Sequence, residues 1–161
     1  GGLGETTPGA TILEGIREMA YPSQRVLFSK NGNNVADRDI VIVVVGESPY
    51  SEWYGDRNDL SLSKKHQKLL NKIKKLNKPT VVILLSGRPM IIEPFINEVN
   101  SFIAAWLPGT EGAGIADVLF NNVKPSGKLS MSWPRSMDQI PINIGDKNYD
   151  PLFSFGFGLT Y

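Results

Sequence analysis

Cysteine is absent from this 161-residue chain, which removes disulfides, thiolate metal sites and thiol nucleophiles together while leaving the compartment open. Histidine occurs once, as His66. A lone histidine excludes most zinc sites, and no serine sits in the G-x-S-x-G strand-turn-helix setting of a hydrolase triad. Neither sign of charge dominates: 17 Lys and Arg against 16 Asp and Glu leave a formal charge of +1. No long-range field therefore points to nucleic acid, an anionic membrane or a polyanionic substrate, and the expected ligand is neutral or small. No apolar run approaches the roughly 20 residues needed to span a bilayer. The amino end, GGLGETTPG, has neither a methionine nor a charged-then-apolar leader, so the true amino terminus and any export signal are expected upstream.

What is present fits one domain, since 41% apolar residues in a chain of this length can bury a continuous core without metals or crosslinks. Thr7-Pro8 matches a helix start, with Ile12, Leu13, Ile16, Met19 and Ala20 as the apolar stripe. RVLF, Arg25 to Phe28, reads as a short strand. Asp39 to Val45, DIVIVVV, is an unbroken β-branched run, which predicts a central parallel strand buried on both faces. Ser63 caps a helix bearing Leu69, Leu70, Ile73 and Leu76, with lysines on its other face. Thr80 to Leu85 and Ser101 to Leu107 read as further strands, Ile91 to Val99 and Thr110 to Phe120 as helices, and Lys128 to Trp133 as a last strand. Such alternation predicts an α/β fold with a mostly parallel, doubly wound sheet flanked by helices. The aromatic tail from Asp138 to Tyr161 has no periodicity and is expected to lie as an ordered coil over another surface.

Ligands of open parallel sheets collect at the carboxyl ends of the strands, which selects three loops. The first, Gly46 to Leu60, places Glu47, Glu52, Asp56 and Asp59 beside Tyr50, Trp53, Tyr54 and Arg57. Sugars offer C–H faces to aromatic rings and hydroxyls to charged groups, and a glycosidase needs in addition a carboxyl group able to protonate the leaving oxygen. The bland alternative is a solvated loop whose charges pair with each other. In the second loop, Ser86 to Pro89, Arg88 could bind a carboxylate or phosphate; the plainer reading is an internal pair with an acidic residue of the first loop. The third, Gly109 to Gly114, resembles an anion-binding turn, but its spacing and Glu111 argue against a dinucleotide, and close packing between helix and sheet explains its glycines better. His66 reads as a boundary packing residue. The lysines from Lys64 to Lys78 read as a solvated face, because no aromatics are interleaved.

Several segments together resemble the second, carboxyl-terminal domain of family 3 glycoside hydrolases. They are TPGATILEGI at Thr7 to Ile16, VVVGESPYSEWYGDR at Val43 to Arg57, LLSGRPM at Leu84 to Met90, AAWLPGTEGAGIADVLF at Ala104 to Phe120, PSGKLSMSWPRS at Pro125 to Ser136, and QIPINIGDKNYDPLFSFGFGLTY at Gln139 to Tyr161. The resemblance covers the whole chain, as one carboxyl-terminal domain over residues 1–161 without the family's amino-terminal barrel. It implies a retaining β-glucosidase or exo-β-glucanase in which the barrel supplies an aspartate nucleophile and this domain lends the general acid/base. The family motif E-x-P-Y-x-E-x-x-G-D falls on Glu47, Pro49, Tyr50, Glu52, Gly55 and Asp56, and its second glutamate, Glu52, matches the acid/base position. Glu47, Asp56, Tyr50, Trp53 and Arg57 are the supporting candidates.

The residues themselves agree with that choice. Glu47 lies at a strand end, close to its own sheet, whereas Glu52 sits five residues out and can reach a partner surface. Flanking Trp53 and Tyr54 are expected to desolvate its carboxyl, the environment an acid needs. The implied partners are the barrel domain and a β-glucoside or β-glucan oligosaccharide, with no nucleic acid and no membrane; no cofactor or metal is expected. The expected compartment is periplasmic or extracellular rather than cytoplasmic. Two rivals stay open: a non-catalytic carbohydrate-binding or scaffold module using the same loop, and a nucleotide-binding domain using Gly109 to Gly114.

Overall fold

The computed structural model describes residues 7–160; of the expected tail, only Tyr161 lies outside them. The first helix, α1 (Ile12–Met19), begins at Thr11 rather than at Thr7-Pro8. Two forces set that start. Thr11 and Glu14 form a reciprocal capping box, the Glu14 carboxylate accepting from the Thr11 N–H at 2.8 Å and the Thr11 hydroxyl accepting from the Glu14 N–H at 3.2 Å. Meanwhile Ala10 is drawn into extended pairing, its N–H donating to the Thr110 carbonyl at 2.9 Å and its own carbonyl accepting from Gly112 at 3.0 Å.

The sheet holds three parallel strands in the order β1 (Val41–Gly46), β2 (Thr80–Leu85), β3 (Ser101–Trp106), paired from Val41 against Thr80 and from Val81 against Ser101. Helix α2 (Lys64–Lys74) joins β1 to β2 and the short α3 (Glu93–Ile96) joins β2 to β3. Helix α4 (Gly112–Leu119) follows β3 and packs on α1. This is the expected parallel α/β sheet flanked by helices, with two differences of position. The central strand is β2, whose Val82, Ile83 and Leu84 are completely or almost completely buried. β1 is an edge strand: Val41, Val43 and Val45 enter the core with Leu70 and Ile73 of α2, while Val44 on the opposite face is 41% exposed. Unbroken β-branching thus marked a strand correctly and its place in the sheet incorrectly, because β propensity does not distinguish edge from centre.

Two expected strands do not form. Residues 25–28 are irregular, with Leu27 and Phe28 exposed; four residues without a ladder partner among the described residues have little to hold them extended. The segment 128–133 does not join the sheet either, because its donors are spent on the tail. Leu129 donates to Phe157 and Trp133 to Phe153, each at 2.8 Å, and Trp133 forms an antiparallel bridge with Phe153. The tail is accordingly the ordered coil its aromatics called for, folded back on this segment. Helix α3 is shorter than the expected span 91–99. Ile91 pairs instead with Ser61 and donates to the Leu60 carbonyl at 3.0 Å, and Pro94 sits in the first turn. Helix α2 starts at its Ser63 cap as expected, and its lysines lie on the solvated side.

Of the glycines of the third loop, Gly112 serves contact with α1 rather than the helix-to-sheet contact expected of these glycines, whereas a Cβ on Gly109 or Gly114 would meet nothing within 4 Å. A Cβ on Gly112 would sit 2.3 Å from the Thr11 backbone carbon, and one on Gly15 would sit 2.8 Å from the Ala113 Cα. The α1 and α4 backbones therefore touch.

Candidate active site

The first two loops meet at the carboxyl ends of β1 and β2, while the third turns to Ala10 beside α1. β1 and β2 continue their ladder by one bond, the Glu47 N–H donating to the Leu85 carbonyl at 2.9 Å. β2 and β3 end on a register irregularity between Leu84 and Leu85, with Ser86 donating to Trp106 at 3.1 Å and Trp106 itself in the left-handed region at φ +52°. Such irregularities re-aim the chain where strands open into loops.

Glu47 is pinned at this edge and its side chain is only 5% exposed. Its Oε1 accepts from Arg88 Nε at 3.2 Å and Nη2 at 2.8 Å, and Arg57 Nη2 lies 3.4 Å away. Arg88 therefore makes the internal pair that the plainer reading assigned to it. Hydrogen bonding to Glu47, more than any other influence, holds the Arg88 guanidinium above its ordinary pKa. The same guanidinium donates to the Gly55 carbonyl at 2.7 Å and lies 4.7 Å from the centroid of the Tyr50 ring.

Glu52 opens a single 3-10 turn, Glu52–Gly55, in the left-handed region at φ +46°. That conformation costs a residue with a Cβ about 1–2 kcal/mol, and its carboxylate is displayed to solvent. Neither Glu52 nor Asp56 has a side-chain hydrogen bond or ion pair among the described residues, while Asp59 accepts the Ser61 N–H at 2.8 Å. Trp53 and Tyr54 stack on each other at 5.4 Å between centroids and are 66% and 78% exposed. The expected desolvation of Glu52 by these rings is not provided within the domain, since the rings turn to each other and to solvent.

Of the candidates named from sequence, the fold brings Glu47, Tyr50 and Arg57 together around Arg88 and leaves Glu52, Trp53 and Asp56 projecting. It also adds groups that residue type did not signal. Gly55 enters through its carbonyl, and a Cβ there would lie 2.2 Å from the Tyr50 ring. His66 reaches up from α2 so that its Nδ1 accepts the Gly46 N–H at 3.4 Å, placing the packing histidine directly behind the strand end. Met137, just ahead of the tail, sets its sulfur 3.2 Å from the Leu60 N–H at the far end of the loop. The nucleotide-binding alternative loses three of the loop's donors, since Glu111 N–H is given to Pro108, Gly112 N–H to Ala10 and Gly114 N–H to Glu111. No group of three or more His, Asp or Glu among the described residues is arranged to hold a metal ion.

An open parallel sheet flanked by helices, with a charged, aromatic loop at the carboxyl ends of its strands, defines an α/β domain of the class that carries ligand sites at those strand ends. The particular family is given by comparison: residues 1–161 match the glycosyl hydrolase family 3 C-terminal domain, and the chain belongs to that family. A lysosomal beta glucosidase of Dictyostelium discoideum is 34% identical over 95% of the chain and 22% of its own length. A periplasmic beta-glucosidase of Salmonella typhimurium is 27% identical over 98% of the chain and 28% of its own length. The crystal structure of an exo-1,3/1,4-beta-glucanase from a Pseudoalteromonas species superposes with a TM-score of 0.87 at 41% identity, covering 95% of this chain and 21% of that one. The chain thus spans about a fifth to a quarter of the length of these relatives.

Proposed function

We propose that this domain contributes the general acid/base of a retaining β-glucosidase or exo-β-glucan glucohydrolase, acting on terminal β-glucosyl residues across an interface with an amino-terminal barrel domain that supplies an aspartate nucleophile. The observation that carries the reading is Glu52: a solvent-facing carboxylate on a projecting turn, held in a left-handed conformation without a side-chain partner among the described residues. Glu47 is the less suitable glutamate because it is buried and already engaged by Arg88. Asp56 has a shorter reach and lies within the field of Arg88.

In this scheme the partner's aspartate attacks the anomeric carbon as Glu52 passes its proton to the departing glycosidic oxygen, leaving a glycosyl-enzyme and a Glu52 carboxylate. Glu52 then takes a proton from water, whose oxygen bonds to the anomeric carbon and releases the aspartate, so the anomeric configuration is retained and both carboxyls return to their starting state. Retaining pairs stand about 5–5.5 Å apart, a separation reached here only when the turn meets the partner. The same approach would cover Trp53 and Tyr54 and provide the desolvation that the domain alone lacks. A periplasmic or secreted enzyme fits the naming of the Salmonella relative, and no helix among the described residues is long and apolar enough to cross a membrane.

The test is Glu52→Gln in the full-length enzyme. Loss of kcat/KM should be large for a glucoside with a poor leaving group and small for a dinitrophenyl glucoside, which departs without a proton; equal losses would remove Glu52 from the acid role. The exposed Trp53 and Tyr54 pair favours the rival reading of a carbohydrate-binding module. That reading expects the 161-residue chain alone to retain glucan oligosaccharides, whereas the split site expects neither retention nor turnover of an activated aryl glucoside by the chain alone.

A further inference from the structure

Resting on the assignment of Glu52 above, we propose that Arg88 is a positioning residue for the acid/base: its guanidinium closes both ends of the segment that displays Glu52. Two residues before Glu52, the Tyr50 ring lies over the guanidinium at 4.7 Å. Three residues after it, the Gly55 carbonyl accepts from Nη2 at 2.7 Å. The guanidinium is itself fixed to the end of β1 by two hydrogen bonds to Glu47, and its backbone carbonyl accepts the Ser86 hydroxyl at 2.8 Å beyond the end of β2. Glu52 is thereby referred to two strands of the sheet through one side chain.

Little else holds the turn. Ser51 makes no side-chain cap, the bond that ends the turn runs from the Asp56 N–H to the Trp53 carbonyl at 3.0 Å, and Trp53 and Tyr54 face solvent. A left-handed residue persists only where its surroundings over-determine it, and here the surroundings are Arg88 and what Arg88 holds. The packing admits no slack on that side: Cβ atoms on Gly55 and Gly87 would lie 2.2 Å and 2.8 Å from Tyr50 atoms. The planar fork is required because three acceptors in different directions, two of them hydrogen-bonding oxygens and one a ring face, cannot be met by the single nitrogen of lysine. Arg57, 3.4 Å from the same Glu47 oxygen, keeps that buried carboxylate paired when Arg88 is replaced. The fold is therefore expected to outlast the loss of the clamp.

The experiment compares Arg88→Met, Arg88→Lys, Glu52→Gln and the Glu52→Gln/Arg88→Met double variant of the full-length enzyme, using phenyl and dinitrophenyl glucosides, with melting temperature as the check on folding. Displacing the acid by about 1 Å costs on the order of 100-fold. Arg88→Met should therefore slow the phenyl glucoside by about 30- to 100-fold and the dinitrophenyl glucoside by less than about threefold, with Arg88→Lys in the same direction. The double variant should be no slower on the phenyl glucoside than Glu52→Gln alone, because a misplaced acid and an absent one lose the same step. Arg88→Lys, which keeps a charge beside Glu47, carries the comparison if the methionine variant does not fold. Equal losses on both substrates, or losses that multiply in the double variant, would overturn the positioning role while leaving Glu52 in place. Absence of leaving-group discrimination in Glu52→Gln alone would instead bring down the acid assignment and this inference with it.

Discussion

The indole N–H of Trp133 donates to the Met90 carbonyl at 2.8 Å, and both residues are almost fully buried. This bond joins the segment that carries the tail to the loop that carries Arg88, only two residues away along the chain. Trp133 also faces Trp106 at 5.9 Å between ring centroids and pairs through its backbone with Phe153, so the tail, the end of β3 and the residue after the second loop meet at Trp133.

Replacing Trp133 by Phe keeps an aromatic ring but leaves the Met90 carbonyl without its donor. Urea unfolding of the chain should report a loss of about 1–3 kcal/mol, the cost of one unsatisfied buried acceptor, and Trp133→Ala a loss of about 3–5 kcal/mol. A Phe variant as stable as the parent would mean that water reaches Met90 and that the tail is not docked as described.

Glu52 occupies a backbone conformation that glycine adopts without strain. Glu52→Gly should therefore unfold at higher denaturant than Glu52→Ala, by about 1 kcal/mol, although both lack the carboxylate. Alanine equal to or better than glycine would show that the turn is not held left-handed at this residue.

Two glycines two positions apart should respond with opposite sign. Gly114 lies within α4 and a Cβ there meets nothing within 4 Å, so Gly114→Ala should stabilise by about 0.5–1 kcal/mol through helix propensity. Gly112→Ala forces α4 away from the Thr11 backbone and should destabilise by about 1–3 kcal/mol. Thermal unfolding of the pair distinguishes helix contact from an anion-binding turn, because the latter gives no reason for Gly114 to improve.

Burial, and then the neighbouring Lys65 charge, hold the His66 pKa below its ordinary value. The folded state therefore binds fewer protons than the unfolded state in the window just below about pH 6.5, and stability rises with pH there. On acidification, the contribution present above the unfolded pKa is lost progressively down to the lower folded pKa. Unfolding free energy measured from about pH 7 to about pH 5 should fall more steeply for the parent than for His66→Gln. Parallel slopes would show that His66 is not the group responsible. Protonation also puts a hydrogen on the nitrogen that accepts from Gly46, so the strand end next to Glu47 is the place where the change is first felt.

Much of this molecule could be read from residue order because the relevant signals are local. Ser63 starts α2, β-branched runs mark β1 and β2, the lysine face of α2 is solvated, and the motif around Glu47 to Asp56 locates the loop expected to carry the chemistry. The first three depend on propensity, capping and periodicity, which act over a few positions, whereas the motif is read through its resemblance to family 3 glycoside hydrolases. Other features depend on which distant backbone groups a segment meets. Ala10 is extended because Thr110 and Gly112 take its hydrogen bonds, 128–133 pairs with the tail rather than β3, and β1 lies at an edge because no further strand pairs with it among the described residues. The surroundings of the two glutamates also separate at this level. Both are carboxylates in one loop, and only the fold places Glu47 under Arg88 in the interior while turning Glu52 outward on a strained backbone, since burial and pairing belong to neighbours that are 41 residues apart along the chain.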